Sequence, residues 1–222
     1  HTVSVMVRKH QGLAEAYDKA NSAKQDVLAD AIGDSIISRL RRGRARGVHV
    51  AIECRSFSPI AEQVRSVTRG VRGIPDLNEA QQRRVDEGNA FADFGIDALW
   101  AAFRGGVSFT AEFQQWRGDV SEPAEWRVYW PEKADYPTLI HFPQMQALIE
   151  ASGAEIIVLW FCMLGGDAQQ VRALLAWPKA TADRLRHLSV PCNHSSHTKL
   201  LVGADAHAGR MYPEVVAEAI AL

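Results

Sequence analysis

Long apolar runs are missing from this chain. No segment reaches the roughly 18 uninterrupted apolar residues that a membrane span requires, and no basic stretch followed by an apolar one opens it as a secretion signal would. Cysteine is scarce: three residues, an odd number, argue against a disulfide framework and for a reducing compartment. Charge of one sign is missing too. The formal net charge is −1, so no whole-chain field favours nucleic acid or an anionic surface. Internal repeats and low-complexity tracts are absent. The chain starts on histidine rather than methionine, which suggests a trimmed or incomplete reading frame. Together these absences predict an intracellular protein, cytoplasmic or nuclear, neither secreted nor tied to a membrane.

What is present is ordinary globular composition: 222 residues, 47% hydrophobic and 23% charged, enough for one large domain over 1–222. Apolar positions Ile32, Ile36, Ile37 and Leu40 share one helical face. That helix closes in Arg39-Leu40-Arg41-Arg42-Gly43-Arg44-Ala45-Arg46, which reads first as a solvated last turn favoured by the helix dipole. Val48 to Ile52 follows as a short buried strand. It stops abruptly at Glu53-Cys54-Arg55-Ser56-Phe57-Ser58-Pro59, a polar, turn-prone loop.

Residues 60–78 show no sustained period and read as a mobile connection. Asn78 is a candidate cap for a helix over about 79–104, with Gly105-Gly106 as its stop. Strands are expected at Thr2–Arg8 (equally readable as the tail of a helix), Val107–Phe113, Ile156–Phe161 and Leu200–Gly203, and helices at His141–Ser152 and Pro213–Leu222. The stretch 167–176 is open between a short helix and a further strand. Residues 114–140 read as an irregular insertion rich in Trp and Pro, and 178–210 as a small loop region holding Cys and His. Strands alternating with helices predict an α/β fold: a Rossmann-like, mostly parallel sheet with helices on both faces. Asp18, Asp26, Cys54, Glu112 and Cys162 then fall at or just after strand-like segments, several on one rim, where open α/β sheets gather their ligands.

A thiol at a strand end is useful for chemistry because thiolate is a strong nucleophile even when little is ionised. The plainer role for Cys54 is a small buried hydrophobe. For Asp18 and Asp26 the competing role is turn chemistry, and for Glu112 a surface carboxylate. Cys192-x-His194-x-x-His197, with Cys162 from a strand end, offers four soft or borderline ligands suited to zinc. Surface histidines and a core cysteine are the alternative, and His207 is a substitute ligand. The tryptophans of 116–130 could stack on bases, although such residues more often cover the edge of a core.

The order of these features resembles the cytosine-C5 DNA methyltransferases. Tyr17-Asp18 is similar to the acid that holds the ribose of S-adenosylmethionine, and Asp26 to the acid beside its adenine. Cys54-Arg55-Ser56-Phe57-Ser58 resembles the nucleophile loop, Ala111-Glu112-Phe113 the Glu-Asn-Val motif, and Gln170-Val171-Arg172 the Gln-x-Arg-x-Arg segment. The resemblance implies a class I methyltransferase-like fold, incomplete at its N-terminus. It implies Cys54, Glu112 and Arg172 as catalytic residues and Asp18, Asp26 and Ser56 as cofactor contacts. S-adenosylmethionine is then the methyl donor and DNA, rather than RNA, the partner, with the target base turned out of the stack. The chain departs from the family at named places. No glycine-rich loop precedes Gly12, Glu53 stands where the family has proline, Phe113 where it has asparagine, and Leu174 where it has a second arginine. A full target-recognition domain is missing as well. The alternative implied is a catalytically degenerate module on the same fold, retained to bind nucleic acid or protein and stapled by zinc.

Overall fold

A computed structural model describes residues 14–17, 22, 25–52, 56–58, 61–116, 133–166, 170–194 and 212–221. The strands expected at 2–8 and 200–203 lie outside them. The elements, in chain order, are α1 (Asp30–Arg41), β1 (Gly47–Ala51), α2 (Glu79–Arg104), β2 (Ser108–Gln114), α3 (Pro143–Ser152), β3 (Glu155–Trp160), β4 (Val171–Trp177), α4 (Lys179–Arg186) and α5 (Glu214–Ala221).

Local chemistry sets most of these boundaries. Asn78 Oδ1 accepts from Gln81 N–H at 2.9 Å while Gln81 Oε1 accepts from Asn78 N–H at 2.8 Å, a reciprocal cap that starts α2. Gly105 closes that helix, and Gly106 follows at φ 67°, a turn open to glycine without strain. α3 opens on Pro143, whose missing N–H would have had no helical partner. Within the open stretch 167–176, residues 171–176 lie in strand β4. Helix α4, within the expected Cys/His loop region, has no counterpart in the sequence reading.

The four strands lie in the order β1-β2-β4-β3. β1 and β2 pair in parallel through the α2 crossover, whereas β4 is antiparallel to both β2 and β3. The sheet is therefore mixed rather than mostly parallel. The reason is loop length: residues 161–170 between β3 and β4 are too few for the dozen-residue crossover that parallel neighbours need. The expected α/β class and the helices on both faces do hold.

Alternation along the strands separates two cores. One face sends Val48, Val50, Phe109, Ala111, Phe113, Ala173 and Leu175 against Ala92, Ile96 and Leu99 of α2 and Met145 and Leu148 of α3. The other sends Ile157, Leu159, Leu174 and Ala176 against Ala182 and Leu185 of α4 and Val216 and Ala219 of α5. β1, β2 and β3 all point toward one edge and β4 begins there, so that edge is the rim, reached by Ile52 after β1, residues 161–166 after β3 and the end of β2. The arginines at the close of α1 precede β1 and lie at the opposite end. Arg41, Arg42 and Arg44 are exposed there, as a solvated turn requires.

Candidate functional site

Glu112 and Arg172 come from motifs far apart in the chain and meet on the rim. β2 places Glu112 opposite Ala51 on one side and Leu174 on the other; β4 places Arg172 opposite Gln114. Both side chains leave the same face one diagonal apart, and Arg172 Nε lies 3.0 Å from Glu112 Oε1. Their side chains are only 14% and 17% exposed, so Glu112 is not a surface carboxylate. Tyr212, just before α5, donates its hydroxyl to Glu112 Oε2. His49 Nε2 lies 2.9 Å from that hydroxyl, and His49 Nδ1 lies 2.8 Å from Thr110 Oγ1.

One proton arrangement satisfies every member. Thr110 donates to Nδ1, Nε2–H donates to Tyr212, and Tyr212 donates to Glu112; the tautomer is assigned from this network. It requires a neutral imidazole. Burial supplies that condition by pushing His49 down to about 4. Burial, and then the Glu112 carboxylate, hold the Tyr212 hydroxyl well above the usual tyrosine range. Sequence reading singled out neither residue. The one available signal was His49 as the single polar side chain of β1, beside Thr110 on the polar, alternating positions of β2.

Cys54 lies outside the described residues, and its loop is anchored on the far side by Ser56 and Phe57. The anchor is Arg65, which is fully buried. Its Nη1 donates to Val71 O and Asn89 Oδ1, both at 2.8 Å, and its Nη2 donates to Ser56 Oγ and Val85 O, both at 3.0 Å. The guanidinium also sits 4.1 Å from the Phe57 ring centre. All these partners are neutral, and burial pushes Arg65 down to about 10. The connection 60–78 is thus irregular, as expected, but pinned. α2 allows the close approach through glycine: a Cβ on Gly88 would stand 2.3 Å from Ser56 Oγ, and one on Gly95 would stand 2.6 Å from Ile52 Cδ1. Ile52 and Ser56 flank residues 53–55, and the two glycines lie two helical turns apart on one side of α2.

The cofactor contacts implied by the resemblance fare differently. Asp18 lies outside the described residues. Asp26 precedes α1 at the end away from Gly105, the rim end, but its Oδ1 accepts from Leu28 N–H at 3.0 Å, a turn-capping role. Ser56 is buried, with its hydroxyl turned to Arg65. Asp26 and Ser56 thus each engage groups of the protein itself. Trp116 is not presented for stacking either. Its Nε1–H donates to Ala134 O at 2.8 Å and its ring meets His141 edge-on. Tryptophans 126 and 130 lie outside the described residues.

Cys162, Cys192 and His194 do come together: their ligand atoms all lie within 4.8 Å of one another. Cys162 sits in a 3-10 turn that follows β3 at the rim, and Cys192 and His194 on the segment after α4. Burial and the Cys192 hydrogen bond push the Cys162 thiol up to about 12. His197 and His207 lie outside the described residues. No protein-family model, curated protein or solved structure matches this chain. The site therefore rests on its own residues.

Proposed function

We propose that the rim is a nucleobase-activating site of the cytosine-C5 methyltransferase kind, acting on DNA. The observation that carries this reading is the Glu112–Arg172 pair at 3.0 Å, with Glu112 on β2, the strand hydrogen-bonded to β1, from which the Cys54 loop departs. Cys54 is three residues beyond Ala51, the residue opposite Glu112, and three peptide units reach at most about 11 Å. The Cys54 thiolate adds to C6 of a cytosine turned out of the duplex, and a C6–S bond forms. The electron pair released by the ring double bond moves toward N3 and the exocyclic oxygen. Glu112, taking up a proton, delivers it to N3 as the electron pair arrives there, and Arg172 faces the charge developing on the exocyclic oxygen, with Tyr212 holding the second oxygen of Glu112 in place. S-adenosylmethionine is the methyl donor that the resemblance implies.

The buried, Arg65-bound Ser56 hydroxyl favours a second reading, a non-catalytic module on this fold that binds nucleic acid or protein. Covalent addition at C6 lets the C5 hydrogen exchange with water, so the step can be followed without any methyl donor. Wild-type protein is expected to release C5-tritium from labelled cytosine in DNA, Cys54→Ser to release none, and Glu112→Gln to lose roughly two orders of magnitude. Calorimetry with S-adenosylmethionine, run beside Asp18→Ala, then tests the donor. DNA binding without exchange and without donor binding would sink the catalytic reading in favour of the module.

A further inference from the structure

The Cys/His cluster is independent of the base-activating reading, and its geometry fits a metal. Zinc holds thiolate sulfur at about 2.3 Å and imidazole nitrogen at about 2.0–2.1 Å, so a tetrahedral S–N edge is about 3.6 Å. Cys192 Sγ and His194 Nδ1 stand 3.5 Å apart, already at that edge. Cys162 completes a triangle in which every ligand atom lies within 4.8 Å of the others.

The backbone explains why the groups converge. Trp160 ends β3, and the Cys162 turn is closed by Phe161 N–H donating to Gln170 O and Gly166 N–H donating to Phe161 O, both at 2.8 Å. The chain leaving α4 is fixed on β3 by Ser189, whose hydroxyl donates to Val158 O at 2.6 Å. From that anchor the segment reaches the rim just where Cys162 stands. Two thiolates and one imidazole select a borderline-soft cation over magnesium or calcium, which take oxygen ligands.

We propose that Cys162, Cys192 and His194 bind one zinc ion that fastens the chain after α4 to the turn after β3. Three protein ligands leave a fourth position for a further donor such as water. The ion holds the rim beside Arg172, whose strand neighbour Leu159 lies three residues before Cys162.

The test uses the full chain, reduced and freed of metal, titrated with cobalt(II) alone and then with zinc(II) alone. One equivalent of cobalt should give thiolate-to-metal charge transfer and the intense visible bands of tetrahedral coordination. Zinc should bleach them and raise the melting midpoint. Cys162→Ser, Cys192→Ser and His194→Ala should each weaken binding, the cysteine variants by roughly 100-fold or more. Cys54→Ser should bind as the wild type does. Zinc should also shield Cys162 and Cys192, but not Cys54, from alkylation, as mapped by mass spectrometry. If Cys162→Ser does not fold, Cys192→Ser, on the more open side, carries the comparison. Absence of a tight equivalent, cobalt spectra without thiolate charge transfer, cysteine variants that bind unchanged, or a native Cys162–Cys192 disulfide would each overturn the site.

Discussion

On the face that carries Val48, Val50, Phe109, Ala111 and Ala173, the strands meet α2 and α3 through carbon alone. The same strands on their other face carry His49, Thr110, Glu112 and Arg172. Successive residues of one strand thus serve two environments, one held by apolar burial and the other by a chain of directed hydrogen bonds. Apolar packing tolerates similar shapes and is indifferent to pH. A polar chain is stable only when each member has the right proton, and so it couples stability to conditions. Leu174, opposite Glu112, returns that second face to apolar packing away from the rim.

The largest expected effect lies on the apolar face. Phe109 is fully buried and stacked on Trp177 at 5.6 Å, so Phe109→Ala should lower the unfolding free energy by about 3–5 kcal/mol. Denaturant unfolding at neutral and mildly acidic pH should show the same loss at both. Equal sensitivity of this loss to pH would break the contrast between the faces.

Arg65 is the exception that sharpens it, a charge among the apolar contacts of α2. Arg65→Met should destabilise by about 3 kcal/mol by stranding Ser56, Asn89 and two carbonyls. Arg65→Lys should recover only part, because an ammonium cannot match the guanidinium fork. Equal stability of the Lys variant and the wild type would show that charge, not geometry, fixes the Cys54 loop.

The polar face should reveal itself through pH. His49 is held neutral, pushed from 6.5 down to about 4, so the unfolded chain takes up a proton first. Its contribution is whole above the unfolded value, falls as pH drops between 6.5 and about 4, and is flat below. The loss amounts to at most about 3 kcal/mol. His49→Gln should flatten that limb of the stability profile, and an unchanged acid limb would remove His49 as its source. Tyr212→Phe should have the smallest effect, about 1 kcal/mol, with a larger loss in C5 exchange because Glu112 loses its second contact. Loss of stability without loss of exchange would make Tyr212 purely structural.

Most of the fold was legible in the sequence because helix signals are local: Asn78, Gly105 and the spacing of Ile32, Ile36 and Leu40 marked their elements to within a few residues. The orientation of β4 was not, since it depends on which strand a short connection returns to, and a run such as Ala173-Leu174-Leu175 reads alike in either direction. For the site, strand ends brought out Glu112 and Cys162, the Cys-x-His spacing brought out Cys192 and His194, and Arg172 entered only through the family resemblance. Arg65, His49 and Tyr212 stayed hidden because each looks like a common surface or core residue until its partners, distant in sequence, are placed. Ser56 shows the converse. The family resemblance implied a cofactor contact there, while packing turns its hydroxyl toward Arg65.

The two glycines of α2 carry a lesson for recognising kindred chains. A helix interior ordinarily favours alanine over glycine by about 1 kcal/mol, so drift should erase glycine wherever nothing opposes it. At Gly88 the neighbouring hydroxyl stands where a methyl group would go, and the Gly95 position is crowded by Ile52 and Val50. A pair of small residues seven apart, downstream of a strand-end cysteine, is therefore a signature with a steric cause. A distant sequence that kept this pair while losing every polar residue of the rim would still be expected to fold its cysteine loop along the same track.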